Sequence, residues 1–348
     1  MFSRYGLGAL FGSFLIAIAI WSTWSAPPPV APEGEAELSF IVIGDTPYSA
    51  PDEAMLAKAL SLIRGGDFPF VLHIGDYKGG RAPCLPKYDQ SFLDLVDGLA
   101  PAPVFYTPGD NEWTDCDRNK NPATGKNYSD LARLELVRQH FRRTRAPTIG
   151  IAPPANMQAQ AQESQIENAT WRVGAVRFAT IHVTGTNNGW NWVSGDPLDD
   201  ALAAVKTREM ANHLWLDRAF ALGEGEDARA IVLAMHADPT DVDANLLGIA
   251  CHNVVADGAE NCDAFSSLRK KISKLTQSFG RPVLLIHGDT KPFTLGQGFS
   301  GDEADNLWRL NAAGDGVRDV VRVDVHTNGA AHPFRAVGLI TGKKTKTD

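Results

Sequence analysis

Apolar runs of strand length alternate with helix-forming stretches through the first part of the chain. The runs at 39–43, 69–74 and 103–107 are followed by stretches that predict helices near Pro51–Ile63, Tyr88–Leu99 and Ser129–Phe141. An alternation of strand and helix predicts a parallel sheet with right-handed crossovers.

The pattern changes after Ala146–Gln165, a Pro-, Ala- and Gln-rich stretch that predicts a loop. Two apolar runs about Gly174 predict a hairpin, which indicates that a second, more antiparallel sheet begins there. Further helices are predicted near 198–222 and 265–279, and further strands at 230–235, 282–286, 317–325 and 334–339. We therefore predict an α/β fold with two mixed sheets packed face to face and helices outside.

The N-terminal segment has the pattern of a secretory signal or membrane anchor. Arg4 precedes the apolar run Leu7–Ile20, and residues 5–24 are just long enough to span a bilayer. We predict a leader over 1–25, a Pro- and Glu-rich linker over 26–37, one domain over 38–342 and a solvated basic tail over 343–348. The leader predicts a periplasmic or extracellular protein, which stays attached to the membrane if the leader is not cleaved.

Composition narrows the choice of partners. The chain has 348 residues, 44% of them hydrophobic, which is enough for one large core. The net charge is −8, and no basic stripe with interleaved aromatic residues occurs, so nucleic acid is not an expected partner.

Export makes disulfides the favoured interpretation of the four cysteines. Sequence proximity favours pairing Cys84 with Cys116 and Cys251 with Cys262, although the other two pairings stay open. A zinc site is the weaker alternative, because no Cys-x-x-Cys spacing occurs.

Polar residues follow several predicted strands at the point where each strand ends. Three of these ends carry a Gly-Asp pair, with Asp45, Asp76 and Asp110. Two later strands end at His236 and at the turn His287–Lys291. Such oxygen and imidazole donors suit a divalent Mn, Fe, Zn or Mg ion, one or two per chain. Asp76 is the natural bridging ligand of a two-ion site, since a carboxylate has two oxygens.

The order of these motifs resembles that of the calcineurin-like metallophosphoesterase superfamily. The resemblance spans roughly 38–339 and implies a four-layer α/β sandwich, a dinuclear metal centre and hydrolysis of phosphate mono- or diesters. It implies metal-ligand roles for Asp45, Asp76, Asp110 and His236, with Asp76 as the bridging carboxylate. The expected substrate is a small phosphate ester, attacked by metal-bound hydroxide.

The chain departs from the family pattern at several positions, among them Asp110 in place of a metal-binding Asn and Asp289 in place of a histidine. Asn111 stands where the family has the histidine that protonates the leaving oxygen, and an amide cannot transfer that proton. Pro47 and Lys291 stand where the first ion's histidines would be. We therefore expect a single ion at Asp76, Asp110, His236 and Asp289, with the Lys291 ammonium near the missing ion.

Two questions stay open in the sequence. Lys78, Arg81 and His287 are candidate substrate-binding residues, but solvated loop charges and a structural histidine explain them as well. The missing acid also allows an alternative function, a phosphoesterase-fold protein at the cell envelope that binds metal or ligand with impaired catalysis.

Overall fold

The computed structural model describes residues 36–144, 146–191, 193–251, 261–299, 304–314 and 316–346. The predicted leader lies outside these ranges, and so does the predicted linker apart from its last two residues. Residues Glu35–Asp348 form one compact unit. No helix in the described ranges combines the length and apolar character that a membrane crossing needs.

Twelve strands and six helices are defined in the described residues. The strands are β1 (Leu38–Ile43), β2 (Val71–His73), β3 (Val104–Tyr106), β4 (Gln160–Ala161), β5 (Ala169–Val173), β6 (Val176–Thr180), β7 (Ala230–Ala234), β8 (Val283–His287), β9 (Thr294–Gln297), β10 (Leu307–Asn311), β11 (Val321–Val325) and β12 (Phe334–Gly338). The helices are α1 (Ala50–Gly65), α2 (Pro86–Gly98), α3 (Asp130–Thr144), the single turn α4 (Gly185–Asn188), α5 (Leu198–Gly225) and α6 (Ser266–Phe279).

The strands form two mixed sheets. The first has the order β12-β11-β1-β2-β3, with β1, β2 and β3 parallel. The second has the order β4-β5-β6-β7-β8-β10-β9, with β6, β7, β8 and β10 parallel. The carboxyl ends of the parallel strands in each sheet therefore lie at one edge, which is where α/β proteins place their ligands.

Side chains alternate between two cores along the central strands. Phe40 of β1 packs in the core between the sheets, whereas Ile41 faces α1 and α2. In the second sheet, Val232 faces the other sheet and Leu233 faces α5 and α6. Burial on both faces explains why these strands are almost wholly apolar. The fold is a layered α/β sandwich, as the sequence predicted.

Some details differ from the sequence prediction. The second sheet is parallel at its centre and antiparallel only at its edges, because α5 and α6 provide the crossovers that parallel strands need. The short strand β4 lies in the predicted loop, and β9 and β10 were not predicted. The basic tail is only partly solvated, since the backbone of Lys346 pairs with Phe293 and Leu295 at the edge of β9.

Two disulfides lie in the described loops. Cys84 pairs with Cys116 and Cys251 with Cys262, the arrangement that sequence proximity favours. The first links the loop before α2 to the segment that follows Asp110. It lies next to the candidate site, because the carbonyl oxygens of Asn111 and Glu112 contact its two sulfurs at 3.7 and 3.3 Å.

Candidate metal centre

Turns at the strand ends carry the acidic residues into one cluster. Asp45 lies two residues beyond β1, Asp76 three beyond β2 and Asp289 two beyond β8. Their φ angles are 51°, 62° and 66°, in the left-handed region that only glycine and short polar residues such as Asp tolerate readily. These turns follow the strand ends directly, and the three carboxylates lie close to His236.

His236 is the centre of the cluster and is wholly buried. Its Nδ1 lies 2.8 Å from the carbonyl oxygen of Ile74, which can only accept a hydrogen bond. Nδ1 therefore carries a proton, and the lone pair of the neutral ring is on Nε2. This second nitrogen is buried without a hydrogen-bond partner in the described residues. A backbone bond to the distal nitrogen of a metal-ligating histidine is a common way to orient it.

Three carboxylates surround that unpaired nitrogen. The distances from Nε2 are 3.4 Å to Asp76 Oδ1, 3.4 Å to Asp110 Oδ1 and 3.7 Å to Asp289 Oδ1. Donors around one ion with bonds of about 2.1 Å lie roughly 3.0 Å apart in an octahedral site and roughly 3.4 Å apart in a tetrahedral one. Asp45 joins the cluster, with a ligand atom within 4.8 Å of Asp76 and His236. The donor set fits a divalent cation.

Glycines let the backbone approach these carboxylates closely. A Cβ added at Gly109 would lie 2.1 Å from Asp76 Oδ1. A Cβ added at Gly185 would lie 2.4 Å from Asp110 Oδ2 and 2.6 Å from Asp289 Oδ2. Any side chain at either position would displace the candidate ligands, which explains why glycine stands there.

The second oxygen of Asp76 is occupied by protein donors. The hydroxyl of Tyr48 donates to Asp76 Oδ2 at 2.8 Å, and the Asn111 side-chain amide donates to the same oxygen. Burial, followed by the charges of Asp76 and Asp45, raises the pKa of the Tyr48 phenol, so that it keeps its proton. The other oxygen, Asp76 Oδ1, lies 3.4 Å from His236 Nε2.

The cluster brings four carboxylates close to one histidine. Burial opposes a positive charge on His236, but Asp76, Asp110 and Asp289 outweigh it and raise the pKa of His236 well above its usual value. Burial, together with the charges of Asp110, Asp45 and Asp241, raises the pKa of Asp289 to about 8, although His236 acts against it. Carboxylates this close cannot all ionise unless a cation joins them.

Glu112 accepts hydrogen bonds from the backbone of the turns next to the centre. It lies four residues before Cys116, is wholly buried and accepts hydrogen bonds from the backbone N–H groups of Asp76 at 3.0 Å and Gly109 at 2.7 Å. The hydroxyl of Tyr106 donates to it at 2.6 Å. These bonds fix the turns that present Asp76 and Asp110, so Glu112 positions the ligands without facing the cluster itself.

A strained turn forms one wall of the centre. Thr186, Asn187 and Asn188 have φ angles of 52°, 49° and 54°, which is costly for a β-branched residue such as Thr186. The Thr186 hydroxyl lies 2.9 Å from Asp110 Oδ2 and 2.8 Å from Asp115 Oδ1, yet it has one proton to donate. Burial, and then the charge of Asp110, raises the pKa of Asp115 to about 7.

The structure distributes the other predicted residues differently. Lys78 is buried and donates to the carbonyl oxygen of Ala82 at 2.9 Å, whereas Arg81 is exposed in the same loop. His287 is wholly buried, with Nδ1 3.2 Å from the carbonyl oxygen of Gly288, which favours support of the turn over contact with a substrate. Lys291 is exposed two residues after Asp289. The roles predicted for these residues stay predictions.

Sequence reasoning missed two polar residues of the centre. Tyr48 follows the first Gly-Asp motif by three residues, and an aromatic hydroxyl so near a strand end was the available signal. Thr186 lies in a stretch whose Asn-Gly pair is typical of a turn. Its contact with Asp110 joins residues 76 positions apart, which no local pattern predicts.

No protein-family model matches the chain, and no curated protein matches it. Among solved structures it is similar to a dimetal phosphatase from Danio rerio, with 10% identity and a TM-score of 0.47, over 87% of this chain and 96% of that one. It is also similar to the NAD nucleotidase of Haemophilus influenzae, with 14% identity and a TM-score of 0.36, over 90% of this chain and 54% of that one. Because this similarity is low, only the chemistry of the site can indicate the function.

Proposed function

We propose that this protein is a metal-dependent phosphoesterase that hydrolyses small phosphate mono- or diesters. The observation that carries the proposal is the buried, unpaired Nε2 of His236 facing the carboxylates of Asp76, Asp110 and Asp289. Leaving such a nitrogen unpaired is costly unless a ligand occupies the space in front of it. The motif order that resembles the metallophosphoesterases supports the same reaction class.

We propose one ion for each chain. A neutral histidine offers one lone pair, and both groups of candidate ligands share His236. A bridging role for Asp76 would compete with hydrogen bonds that both of its oxygens accept: Tyr48 and the Asn111 amide donate to Oδ2, and the Asn111 backbone N–H donates to Oδ1 at 3.0 Å. Asp110, His236 and Asp289 would hold the ion together with Asp76, whose Oδ1 lies 3.4 Å from His236 Nε2. Asp45 groups with Asp76 and His236 on the other side of the histidine.

Different residues of the chain bind the ion and position its ligands. A bound divalent ion polarises a phosphoryl oxygen and lowers the pKa of a water molecule. Asp76, Asp110 and Asp289 set the charge and position of the site, and His236 completes it. Asn111 holds Asp76 through its side-chain amide and its backbone N–H, the latter at 3.0 Å. Because Asn111 provides no proton for the leaving oxygen, esters with good leaving groups should react best.

The competing function is ligand or metal binding without turnover. Asn111 favours it, because its amide contacts Asp76 instead of serving as an acid.

We further propose that the protein is exported, since two disulfides join its loops. Its attachment to a membrane depends on the predicted leader, which the structure does not describe.

The test combines metal content with hydrolysis of p-nitrophenyl phosphate. We expect close to one ion per chain and measurable hydrolysis in the parent protein. Asp76→Asn should lose both, with a fall in kcat/KM of about 10³-fold or more, since an ion supplies several kcal/mol of charge stabilisation. Methyl phosphate should react far more slowly than the aryl ester.

Glu167→Gln is the matched control, because Glu167 is another wholly buried carboxylate that lies outside the cluster. This variant should keep the parent's metal content and the parent's rate of p-nitrophenyl phosphate hydrolysis per folded molecule. Metal without hydrolysis in the parent would establish the binding function instead. Equal hydrolysis by the parent and Asp76→Asn would rule out the metal mechanism, and two ions per chain would contradict the single-ion site.

A further inference from the structure

A cavity opens beside the candidate metal centre. Its volume is about 380 Å³, within the range of small-molecule sites, and Asp289 and Gly185 form the wall that it shares with the centre. Asp289 also faces the unpaired Nε2 of His236 at 3.7 Å. A phosphoryl group at the centre would therefore leave the rest of its molecule in this cavity.

The charge of the cavity is one-sided. Asp241 and Asp243 line it together with Asp289, and no Lys, Arg or His is among the described residues that line it. The charge of Asp241 is close enough to act on Asp289. Both Asp241 and Asp243 are exposed on the loop that follows β7.

Apolar side chains complete the walls on the same side. Val242 lies between the two acids, and Leu246 follows four residues later in the same loop; both are half-buried. Phe265 also lines the cavity, but it is only 3% exposed, so it offers no free ring face on which a nucleobase could stack. The walls suit a short methylene chain with a positive end.

We propose, on the basis of the proposed function, that the substrates are phosphate esters of amino alcohols. The phosphoryl group would bind at the metal centre, the methylene groups would pack on Val242 and Leu246, and the ammonium would lie between Asp241 and Asp243. The acidic cavity disfavours esters whose second end is also anionic, because like charges repel in a confined space.

The test measures binding and does not depend on turnover. Isothermal titration calorimetry of the Mn²⁺-loaded protein compares 3-aminopropylphosphonate with butylphosphonate, which differ only in a terminal ammonium or methyl group. We expect the amino compound to bind about tenfold more tightly at low salt, with the preference shrinking at high salt. In the double variant Asp241→Asn/Asp243→Asn the preference should fall below about threefold.

The matched control is Asp199→Asn/Asp200→Asn, which removes the same charge from two exposed residues at the start of α5. It should keep the parent's preference. Equal affinity for the two phosphonates, no binding of either, or a preference that survives in Asp241→Asn/Asp243→Asn would overturn the proposal. A preference that depends on these acids in a protein that hydrolyses no phosphate ester would support the cavity and refute the phosphoesterase function.

Discussion

Two buried histidines stand at equivalent places in neighbouring strands and have opposite surroundings. His182 lies two residues after β6 and His236 two residues after β7, and the parallel register pairs Thr180 with Ala234 just before them. Both side chains are wholly buried, and neither Nε2 has a hydrogen-bond partner in the described residues. Burial and position therefore do not distinguish them.

Charge balance distinguishes them. His182 Nδ1 lies 2.7 Å from Glu167, whose charge is matched by Arg138 at 2.8 Å. Burial lowers the pKa of His182 to about 4, despite the opposing charge of Glu167, so the ring is neutral. His236 instead faces three carboxylates with no arginine or lysine paired to them in the described contacts. A balanced buried cluster supports the fold, whereas an unbalanced one requires a cation.

The largest effect should come from His236→Asn. The substitution removes the nitrogen that the carboxylates surround, so metal content should fall from close to one ion per chain to almost none. The increase in Tm that added Mn²⁺ gives the parent protein should disappear as well, since that increase depends on binding to the folded state. Elemental analysis and a thermal melt with and without Mn²⁺ measure the two quantities.

His182→Asn is the control. It should keep its metal and lose about 1–3 kcal/mol in the free energy of unfolding, because Glu167 loses a buried hydrogen-bond partner. If His182→Asn lost its metal too, the contrast between the two histidines would fail.

An intermediate effect is expected from Tyr48→Phe. The variant loses the donor to Asp76 Oδ2 but leaves Oδ1 and His236 in place. Because a hydrogen bond to a charged group contributes about 1.5–3 kcal/mol, kcat/KM for p-nitrophenyl phosphate should fall by about tenfold to a hundredfold while the protein keeps one ion per chain.

Tyr77→Phe provides the comparison. Tyr77, the residue after Asp76, is also a buried phenol, but its hydroxyl donates to Asp89 at 2.7 Å and not to a carboxylate of the cluster. Its kcat/KM should stay within about twofold of the parent's. Unchanged activity in Tyr48→Phe would show that the Tyr48 hydroxyl does not hold Asp76 in its working position.

The smallest effect on the metal centre is expected from Asp130, a buried acid outside it. Burial, and then the charges of Asp117 and Asp196, raises the pKa of Asp130 to about 9. An unfolded aspartate has a pKa of about 3.9. The free energy of unfolding is therefore unaffected by this shift below about pH 3.9, and it falls as the pH rises from there through about 9. Asp130→Asn should therefore gain stability relative to the parent between pH 5 and pH 9.

Urea unfolding at pH 5, 7 and 9 measures this difference, with the exposed Asp94→Asn as a control. Parallel pH profiles for Asp130→Asn and the parent would show that Asp130 is ionised in the folded protein. The rule that an unbalanced buried acid keeps its proton or recruits a cation would then fail at this site.

Local patterns in the sequence predicted the fold class and the strand-end acids. Apolar runs of strand length alternate with helices. Because β1, β7 and β8 are apolar on both faces, they could be predicted as strands from the local sequence alone. A Gly-Asp pair directly after such a run predicts a carboxylate at the sheet edge, and the structure brings Asp45, Asp76 and Asp289 into one cluster with His236. The strands β9 and β10 were missed because their polar and exposed positions, such as Gln297, weaken the apolar signal.

Only the tertiary structure decided which polar groups meet. Tyr48 and Asn111 reach Asp76 Oδ2 from two different loops, and Thr186 reaches Asp110 from the second sheet. The sequence supplied two equivalent histidines, but the unlike partners of His182 and His236 come from segments far away along the chain. Local propensities act over a few residues, whereas charge balance in a buried site depends on every chain segment that meets there.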